Sequence, residues 1–387
     1  MPRPTYAEVD LDAIRHNYHV MRSRLGVGVK LLGIVKADAY GHGAAPVART
    51  LEEVGADMFG VALVEEGIEL RAAGIQKPIL IMGLLPPEEV PAAIEHRLAA
   101  TIDDLATALE LETQAARCHG RLHVHLKIDT GMNRLGVRAE EAPQAFAAVS
   151  RLQHLAIDGA YTHFACADGE DDGVSEQQLA RLSAALAGMR SAGASVPLVH
   201  SANSAAILSI REAHFGMVRS GLALYGVRPC AAASDAGLRP ALSLHSRVVH
   251  LKRVRRGEGV SYGHTWRAAR DSVLGLVPIG YADGYRRALS NRGQVRIAGR
   301  LCPVVGVVCM DATLVDLTDL VAPSVGQPAT LIEADNSSPI SADAIARLCQ
   351  TIPYEILTGI GRRVPRIYCH ESPVPETPEA RSRVKGA

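Results

Sequence analysis

Lys36 closes the apolar run Leu31-Leu-Gly-Ile-Val35 and opens the stretch Ala-Asp-Ala-Tyr40-Gly-His-Gly43. An amine at the end of such a run either reaches for solvent or is desolvated, with a pKa low enough for Schiff-base chemistry. Tyr40 and the glycines after it form either a ligand-approaching loop or a plain strand-to-helix turn. His123-Val-His-Leu-Lys-Ile-Asp129 alternates, which predicts His123, His125, Lys127 and Asp129 on one face and the apolar residues on the other. Asp129-Thr-Gly-Met-Asn-Arg134-Leu-Gly136 sets an arginine between two glycines, a setting for carboxylate or phosphate recognition by a guanidinium fork. Thr162-His163 ends another apolar run. His200-Ser-Ala-Asn203-Ser204 offers hydroxyls at a helix start, which suit a phosphate as well as a plain cap. Val218-Arg219-Ser-Gly221 adds an arginine and a glycine that lets the backbone approach the same ligand. Taken singly, a rim lysine, a solvated arginine, core histidines and caps explain these residues equally well. Together they describe one pocket, provided the elements that carry them close into one ring.

The pattern of the chain predicts such a ring. Eight apolar runs of strand length, at 31–38, 58–64, 78–83, 98–102, 122–128, 157–164, 198–201 and 217–225, alternate with helical stretches. Strand–helix alternation calls for parallel strands with crossover helices, and eight repeats in this length match a (β/α)8 TIM-like barrel. A doubly wound open sheet is the alternative. The barrel places its active site at the carboxyl ends of the strands, where the lysine, histidines and arginines lie. A first helix starts at Leu11 with Asp10 as cap, and Gly26 ends it. After the small, polar residues 231–237 the texture becomes short and β-like, at 243–254, 272–279, 294–297, 301–309, 313–316 and 329–332. One helix, 341–349, interrupts it with Ser341 as cap. The expected division is a barrel over 1–235, a mainly antiparallel β-rich domain over 236–370 and a flexible tail over 371–387.

Composition narrows the function classes. Lysine plus arginine number 41 and acids 41, which leaves no cationic surplus for nucleic acid or a membrane surface. No apolar run reaches the roughly 18–20 residues needed to span a bilayer. Residues 1–10 hold no apolar core and carry acids early, so they do not read as a signal peptide. The 7 cysteines are scattered without paired spacing, which argues against a disulfide framework or zinc site and for a reducing cytoplasm. No metal is expected.

Longer motifs then resemble a known family. Lys36-Ala-Asp-Ala-Tyr-Gly-His-Gly43 resembles the pyridoxal-phosphate lysine motif of alanine racemases, and Val260-Ser-Tyr262-Gly-His-Thr-Trp266 their catalytic-tyrosine motif. Ile279-Gly-Tyr281-Ala-Asp-Gly, Val308-Cys-Met310-Asp311 and Pro353-Tyr354-Glu355 match further signatures, in the family's order, from about residue 4 to 368. The resemblance implies a cytoplasmic homodimer that racemises L- and D-alanine with pyridoxal 5'-phosphate, supplying D-alanine for peptidoglycan or consuming it. It implies that Lys36 carries the cofactor, that His163 stacks on its ring, and that Arg219 meets the ring nitrogen. Tyr40, Asn203, Ser204, Gly221 and Tyr354 are implied around the phosphate, and Arg134 and the Met310 backbone at the substrate carboxylate. Lys36 and Tyr262 of the other subunit are implied as the two proton carriers, with Lys127, in the family often carbamylated, positioning Arg134. Tyr281 and Asp311 are implied as supporting residues.

One position departs from the family pattern. Val307 stands where the family usually has an arginine on the substrate's approach, opposite an acid that Asp171 or Asp172 would supply, with Arg287 and Ile352 nearby. Three other readings compete. A fold-related pyridoxal-phosphate decarboxylase normally has an acidic partner for the ring nitrogen and lacks the Ser-Tyr-Gly motif, so Arg219 and Tyr262 speak against it. A single-barrel cofactor carrier ends where this chain continues. The His-x-His pair with Lys127, His163 and His200 resembles metal-dependent amidohydrolases, but there the pair lies on the first strand and here on the fifth. Serine remains open as a further substrate.

Overall fold

Asp10 ends a short strand and caps the helix that follows. In the computed structural model, which describes residues 3–169, 173–234 and 236–369, its carboxylate accepts the N–H groups of Asp12 and Ala13 at 2.8 and 3.0 Å. The helix Leu11–Ser23 buries Leu11, Ile14, Tyr18 and Met21, one face at helical spacing. The strand before it, β1 (Tyr6–Asp10), has no counterpart in the reading of the sequence.

The eight apolar runs become β2 (Lys30–Ile34), β3 (Met58–Val61), β4 (Ile79–Leu84), β5 (Leu98–Ile102), β6 (Leu122–Asp129), β8 (Leu155–Tyr161), β9 (Val199–His200) and β10 (Met217–Ser220), with a two-residue β7 (Val137–Arg138) added beside β6. They pair in the order β5-β4-β3-β2-β10-β9-β8-β6, all parallel, and β5 pairs back to β6. The sheet therefore closes, and the barrel reading holds. Buried on both faces, the strands read as near-continuous apolar runs: every residue of β3 and β5 is buried. The alternation predicted for 123–129 holds only in part. Pairing with β8 shifts register between Val124 and His125. Beyond that shift His125 and Lys127 are buried, while His123 is exposed and meets Asp158 at 2.9 Å.

The second region is β-rich, as expected, and antiparallel for the most part. It comprises β11 (Leu242–Arg247), β12 (His250–Val254), β13 (Gly259–Val260), β14 (Trp266–Arg267), β15 (Ser272–Val277), β16 (Gln294–Ile297), β17 (Arg300–Pro303), β18 (Thr313–Asp316), β19 (Pro328–Ile332) and β20 (Arg366–Cys369). One sheet runs β17-β16-β19-β11-β1-β20, so β1 serves this sheet rather than the barrel. It pairs antiparallel with β11 and parallel with β20. The run 243–254 is two strands in different sheets, and the run 301–309 is strand only to Pro303. Ser341 caps the helix Ala342–Cys349 by accepting the Ala344 N–H at 3.1 Å. A further short helix, Pro353–Thr358, brings the chain back against the mouth of the barrel. The expected tail, 371–387, lies outside the described residues, as do Asp171 and Asp172.

Candidate active site

Lys36 follows β2 at the carboxyl face of the barrel, and the backbone after it is unusual. Ala37, Asp38, Ala39 and Tyr40 have φ of 52, 54, 51 and 53°, a full turn in the left-handed region. Side chains there crowd the carbonyl oxygen, at roughly 1–2 kcal/mol per residue, so the surrounding structure must hold the turn. Asp38 accepts the Ala44 N–H at 2.8 Å, and the buried His42 donates from Nδ1 to the carbonyls of Ala39 and Tyr40 at 3.1 and 3.0 Å. Burial, then the cation of Arg134, lower the Lys36 pKa against a smaller opposing effect of Glu66. The amine is thus drawn toward its neutral, nucleophilic form.

Arg219 on β10 organises the barrel's centre. The residue is 2 % exposed. Nη2 donates to the carbonyls of Thr162 and Ser201 and to His163 Nδ1 at 2.8, 2.9 and 3.1 Å, and Nη1 donates to His200 Nδ1 at 3.1 Å. Arginine only donates, so both acceptor nitrogens are unprotonated and the ring protons sit on Nε2. His200 Nε2 then donates to His125 Nδ1 at 2.9 Å. All three rings are held neutral, in agreement with the direction of their titration: burial first, then neighbouring cations, keep His163 and His200 well below the usual range, and burial takes His125 to about 4. Tyr161 stacks on His200 with centroids 4.7 Å apart, and the Arg219 and Lys127 cations lie 5.3 and 5.4 Å from the Tyr161 centroid. Burial lowers the Arg219 pKa to about 10, which leaves it charged at pH 7.

One cavity of about 490 Å³ gathers Lys36, Tyr40, Lys127, Arg134, His163, Asn203, Ser204, Arg219, Gly221 and Tyr354. Among the described residues its lining holds four cations and no carboxylate, the chemistry of an anion site. Ser204 Oγ accepts the N–H groups of Gly221 and Ala223 at 2.8 and 3.3 Å, and Asn203 caps the helix Ser204–Ser209 through the Ala206 N–H. Tyr40 stacks on Tyr225 at 5.0 Å and lies 5.5 Å from Tyr354. A Cβ on residue 221 would stand 2.9 Å from the Tyr40 hydroxyl, so glycine keeps this corner open. Arg134 rides a loop in which Asp129 accepts the N–H groups of Gly131 and Asn133. Lys127, 5 % exposed, makes no ion pair among the described residues, and burial with Arg134 and Arg219 lowers its pKa to about 8.

Tyr262, Tyr281, Met310 and Asp311 are not in this cavity. Three of them cluster elsewhere on the surface, around Cys309. Ser261, at φ 62°, donates its hydroxyl to the Val307 carbonyl at 2.8 Å and touches the Cys309 sulfur at 3.6 Å. Gly306, at φ 74°, leaves room for that turn, since a Cβ would stand 2.6 Å from the Ser261 Cβ. The Tyr281 N–H donates to the Cys309 carbonyl at 3.0 Å, and that of Ala282 to Met310 at 3.1 Å. Tyr262 is 72 %, Met310 52 % and Tyr281 43 % exposed. Asp311 pairs with Arg363, which also reaches the buried Asp283. Ile352 is exposed, and Arg287 opens the short turn Arg287–Leu289. Val307 contributes its carbonyl to the Ser261 brace.

Sequence reasoning left out Tyr161 from the cavity wall and the hydrogen-bonded chain His125–His200–Arg219. His125 and His200 do meet, but as donor and acceptor behind Arg219. The signal for them was burial of polar residues along β6 and β9, which alternation alone does not rank.

Comparisons with known proteins agree along nearly the whole chain. The family model described as alanine racemase, N-terminal domain, matches residues 9–229, and that described as alanine racemase, C-terminal domain, matches 241–368. The chain is 42 % identical over 367 residues to an alanine racemase of Halothermothrix orenii, covering 95 % of this chain and 97 % of that protein. It is 43 % identical over 371 residues to an alanine racemase of Symbiobacterium thermophilum, covering 96 % and 98 %. Among solved structures, an alanine racemase of Clostridium difficile 630 superposes with a TM-score of 0.91 at 36 % identity, covering 96 % and 97 %. One from Bacillus anthracis, with bound L-Ala-P, gives 0.90 at 35 %, covering 96 % of both chains.

Proposed function

The chain belongs to the alanine racemase family, and on that premise we propose that Lys36 and Tyr262 are the opposed proton carriers of a pyridoxal-phosphate-dependent enzyme. It is an isomerase that interconverts L- and D-alanine. The observation that carries the assignment is the meeting of a desolvated lysine amine, a donor-only arginine and an anion corner in one cavity.

The residues present fit the cofactor. Arg219 lines the cavity, spends Nη1 and Nη2 on protein acceptors and, among the described residues, leaves its Nε–H free to donate to a ring nitrogen. The missing Cβ at Gly221 opens the corner beside Tyr40, Ser204 and Tyr354 where a phosphate can sit, with Asn203 ordering the helix start. His163, neutral and fixed through Nδ1, offers a ring face for stacking. When bound, pyridoxal phosphate supplies the electron withdrawal that acidifies the Cα–H of an amino acid.

The protein must then move one proton. A single carrier that reaches one face of Cα returns only the enantiomer it started from, so racemisation needs a second carrier on the other face. Lys36 serves one face: burial and Arg134 bias its amine toward the neutral form that accepts a proton. By family analogy this is the proton of D-alanine, and Tyr262 handles that of L-alanine. Tyr262 lies outside its own chain's cavity and is exposed together with Met310 and Tyr281. That supports a homodimer in which one copy's Cys309 cluster docks over the other copy's barrel mouth. Arg134 and the Met310 backbone N–H then hold the substrate carboxylate. With its pKa drawn to about 8, Lys127 has a neutral fraction near pH 7–8. A neutral amine adds carbon dioxide and loses a proton to become a carbamate, which turns repulsion of Arg134 into attraction. Arg219 can donate but not readily surrender its proton, so a ring nitrogen held there would stay unprotonated and its electron withdrawal would be moderate.

Subunit mixing tests this reading. Lys36→Ala and Tyr262→Phe should each be inactive alone. A mixed dimer has one site with both defects and one with neither, so recovery is about a quarter of wild type when half the dimers are mixed. No recovery after demonstrated subunit exchange contradicts sites shared between chains.

A further inference from the structure

The left-handed turn beside Lys36 is held from outside itself. Glu66 is the third residue of the helix Val64–Ala72, which follows β3. Its Oε2 accepts the N–H groups of Ala62 and Leu63 at 2.7 and 3.2 Å. Those bonds cap the helix and close the turn after β3. Its Oε1 accepts the Ala37 N–H at 2.6 Å, from a residue 29 positions earlier. Capping does not require that third bond. Ala37 is the first residue of the left-handed turn and the neighbour of Lys36. A single carboxylate therefore ties the carboxyl ends of β2 and β3 together at the point where the lysine leaves its strand. A charged acceptor makes each such bond roughly twice as strong as a neutral one. The same negative charge opposes the effect of burial on the Lys36 amine.

We propose that Glu66 is a positioning residue for Lys36: it caps one helix with one oxygen and, with the other, pins the Ala37 N–H so that the turn presents the Lys36 amine to the cavity. The inference rests on the reading of Lys36 as cofactor-bearing proton carrier. It separates two roles that one side chain performs, capping and pinning, and they can be tested apart. Glutamine at 66 has one acceptor oxygen and cannot serve both ends. Leu63 stands at the N-cap in extended geometry, φ −125° and ψ 158°, and is exposed, so a serine there can cap the same helix without touching Ala37.

The test compares wild type, Glu66→Gln, Leu63→Ser and the double variant as purified holoenzymes. For Glu66→Gln, kcat falls about tenfold, 1.4 kcal/mol in barrier, while KM for alanine stays within about twofold. Amide deuterium exchange in the segment 35–41 speeds up by a similar factor, without change in segments of the second sheet. Adding Leu63→Ser restores the melting temperature but neither kcat nor the protection of 35–41. Recovery of kcat together with the melting temperature reduces Glu66 to a helix cap and overturns the proposal, as does unchanged exchange at 35–41. If Glu66→Gln fails to fold, Glu66→Asp replaces it: its shortened carboxylate still caps but withdraws from Ala37, and an undiminished kcat then overturns the proposal. Lys36→Ala is assayed alongside. Residual racemisation in that variant sinks the reading of Lys36 instead, whatever Glu66 does.

Discussion

Lowering the pH from 7 to 5 charges, in the unfolded chain, histidines that the fold holds neutral, and the cost follows from their burial. His42 is fully buried, donates through Nδ1 to two carbonyls and, among the described residues, has no partner at Nε2. Burial takes its pKa to about 4, and does the same for His125. The folded-state value lies below the unfolded value of about 6.5. Above pH 6.5 neither state binds the proton, and the stability is fully present. As pH falls from 6.5 toward 4 the unfolded chain takes up protons that the fold refuses, so stability is lost through that window and the loss levels off below it. Linkage puts the loss between pH 7 and 5 at about 2 kcal/mol for each such histidine, or about 4 kcal/mol for the pair. That is a large share of the roughly 5–15 kcal/mol that holds a typical domain. The assay is urea unfolding followed by circular dichroism at several pH values between 7.5 and 4.75. His42→Asn isolates one group, because its amide nitrogen keeps the donor near Nδ1 but does not titrate. The variant starts less stable, since it loses packing on Tyr225, whose ring lies 4.5 Å away. Its pH slope should nevertheless be shallower by about 1.4 kcal/mol per unit at the steepest point. A midpoint that stays flat from pH 7 to 5, or an unchanged slope in His42→Asn, refutes the reasoning.

Three substitutions probe the two halves of the site. Gly221→Ala puts a methyl 2.9 Å from the hydroxyl of the stacked Tyr40; affinity for added pyridoxal phosphate should fall about tenfold at nearly constant melting temperature, and unchanged affinity argues against a phosphate corner there. Arg134→Lys keeps the charge but removes the fork, so KM for alanine should rise about tenfold with a smaller change in kcat, and the opposite split contradicts its role at the substrate carboxylate. Gly306→Ala forces a Cβ to 2.6 Å from Ser261 at a backbone of φ 74°; it should cut kcat by about tenfold while cofactor affinity holds, because it disturbs the turn that carries Tyr262 and not the cavity.

The barrel was legible because each strand is a short apolar run bounded by a helical stretch, and closure follows from the number of repeats. Lys36, His163 and Arg219 were legible as polar residues at the ends of such runs. Elements defined by distant partners were not. β1 is five residues long and finds its partners about 235 and 360 positions later. The helix Pro353–Thr358 has six residues, too few for a periodic signal. His123 shares the strand with His125 and Lys127 but is exposed beside Asp158, the residue that the register shift leaves unpaired in β8, and such a shift leaves no trace in composition. The run 301–309 looked like one strand, but proline at 303 has no N–H to continue a ladder and Gly306 turns the chain. Glu66 was invisible for a similar reason: its third hydrogen bond exists only once two strand ends lie side by side. Tyr262 and Met310 came from motif resemblance, since nothing in their spacing ties them to a cavity on which they do not border.

The central claim is that Lys36 and Tyr262 act on opposite faces of one carbon. Incorporation of deuterium at Cα from heavy water, followed in a single turnover of Tyr262→Phe with each enantiomer of alanine, tests it most directly. Steady-state racemisation cannot, because the equilibrium constant between enantiomers is one and both directions fall together. With the phenol gone, exchange on L-alanine should drop by about a hundredfold or more while exchange on D-alanine, served by Lys36, persists. Equal and small losses for the two enantiomers would contradict the account and leave Tyr262 as a residue that only packs against the site.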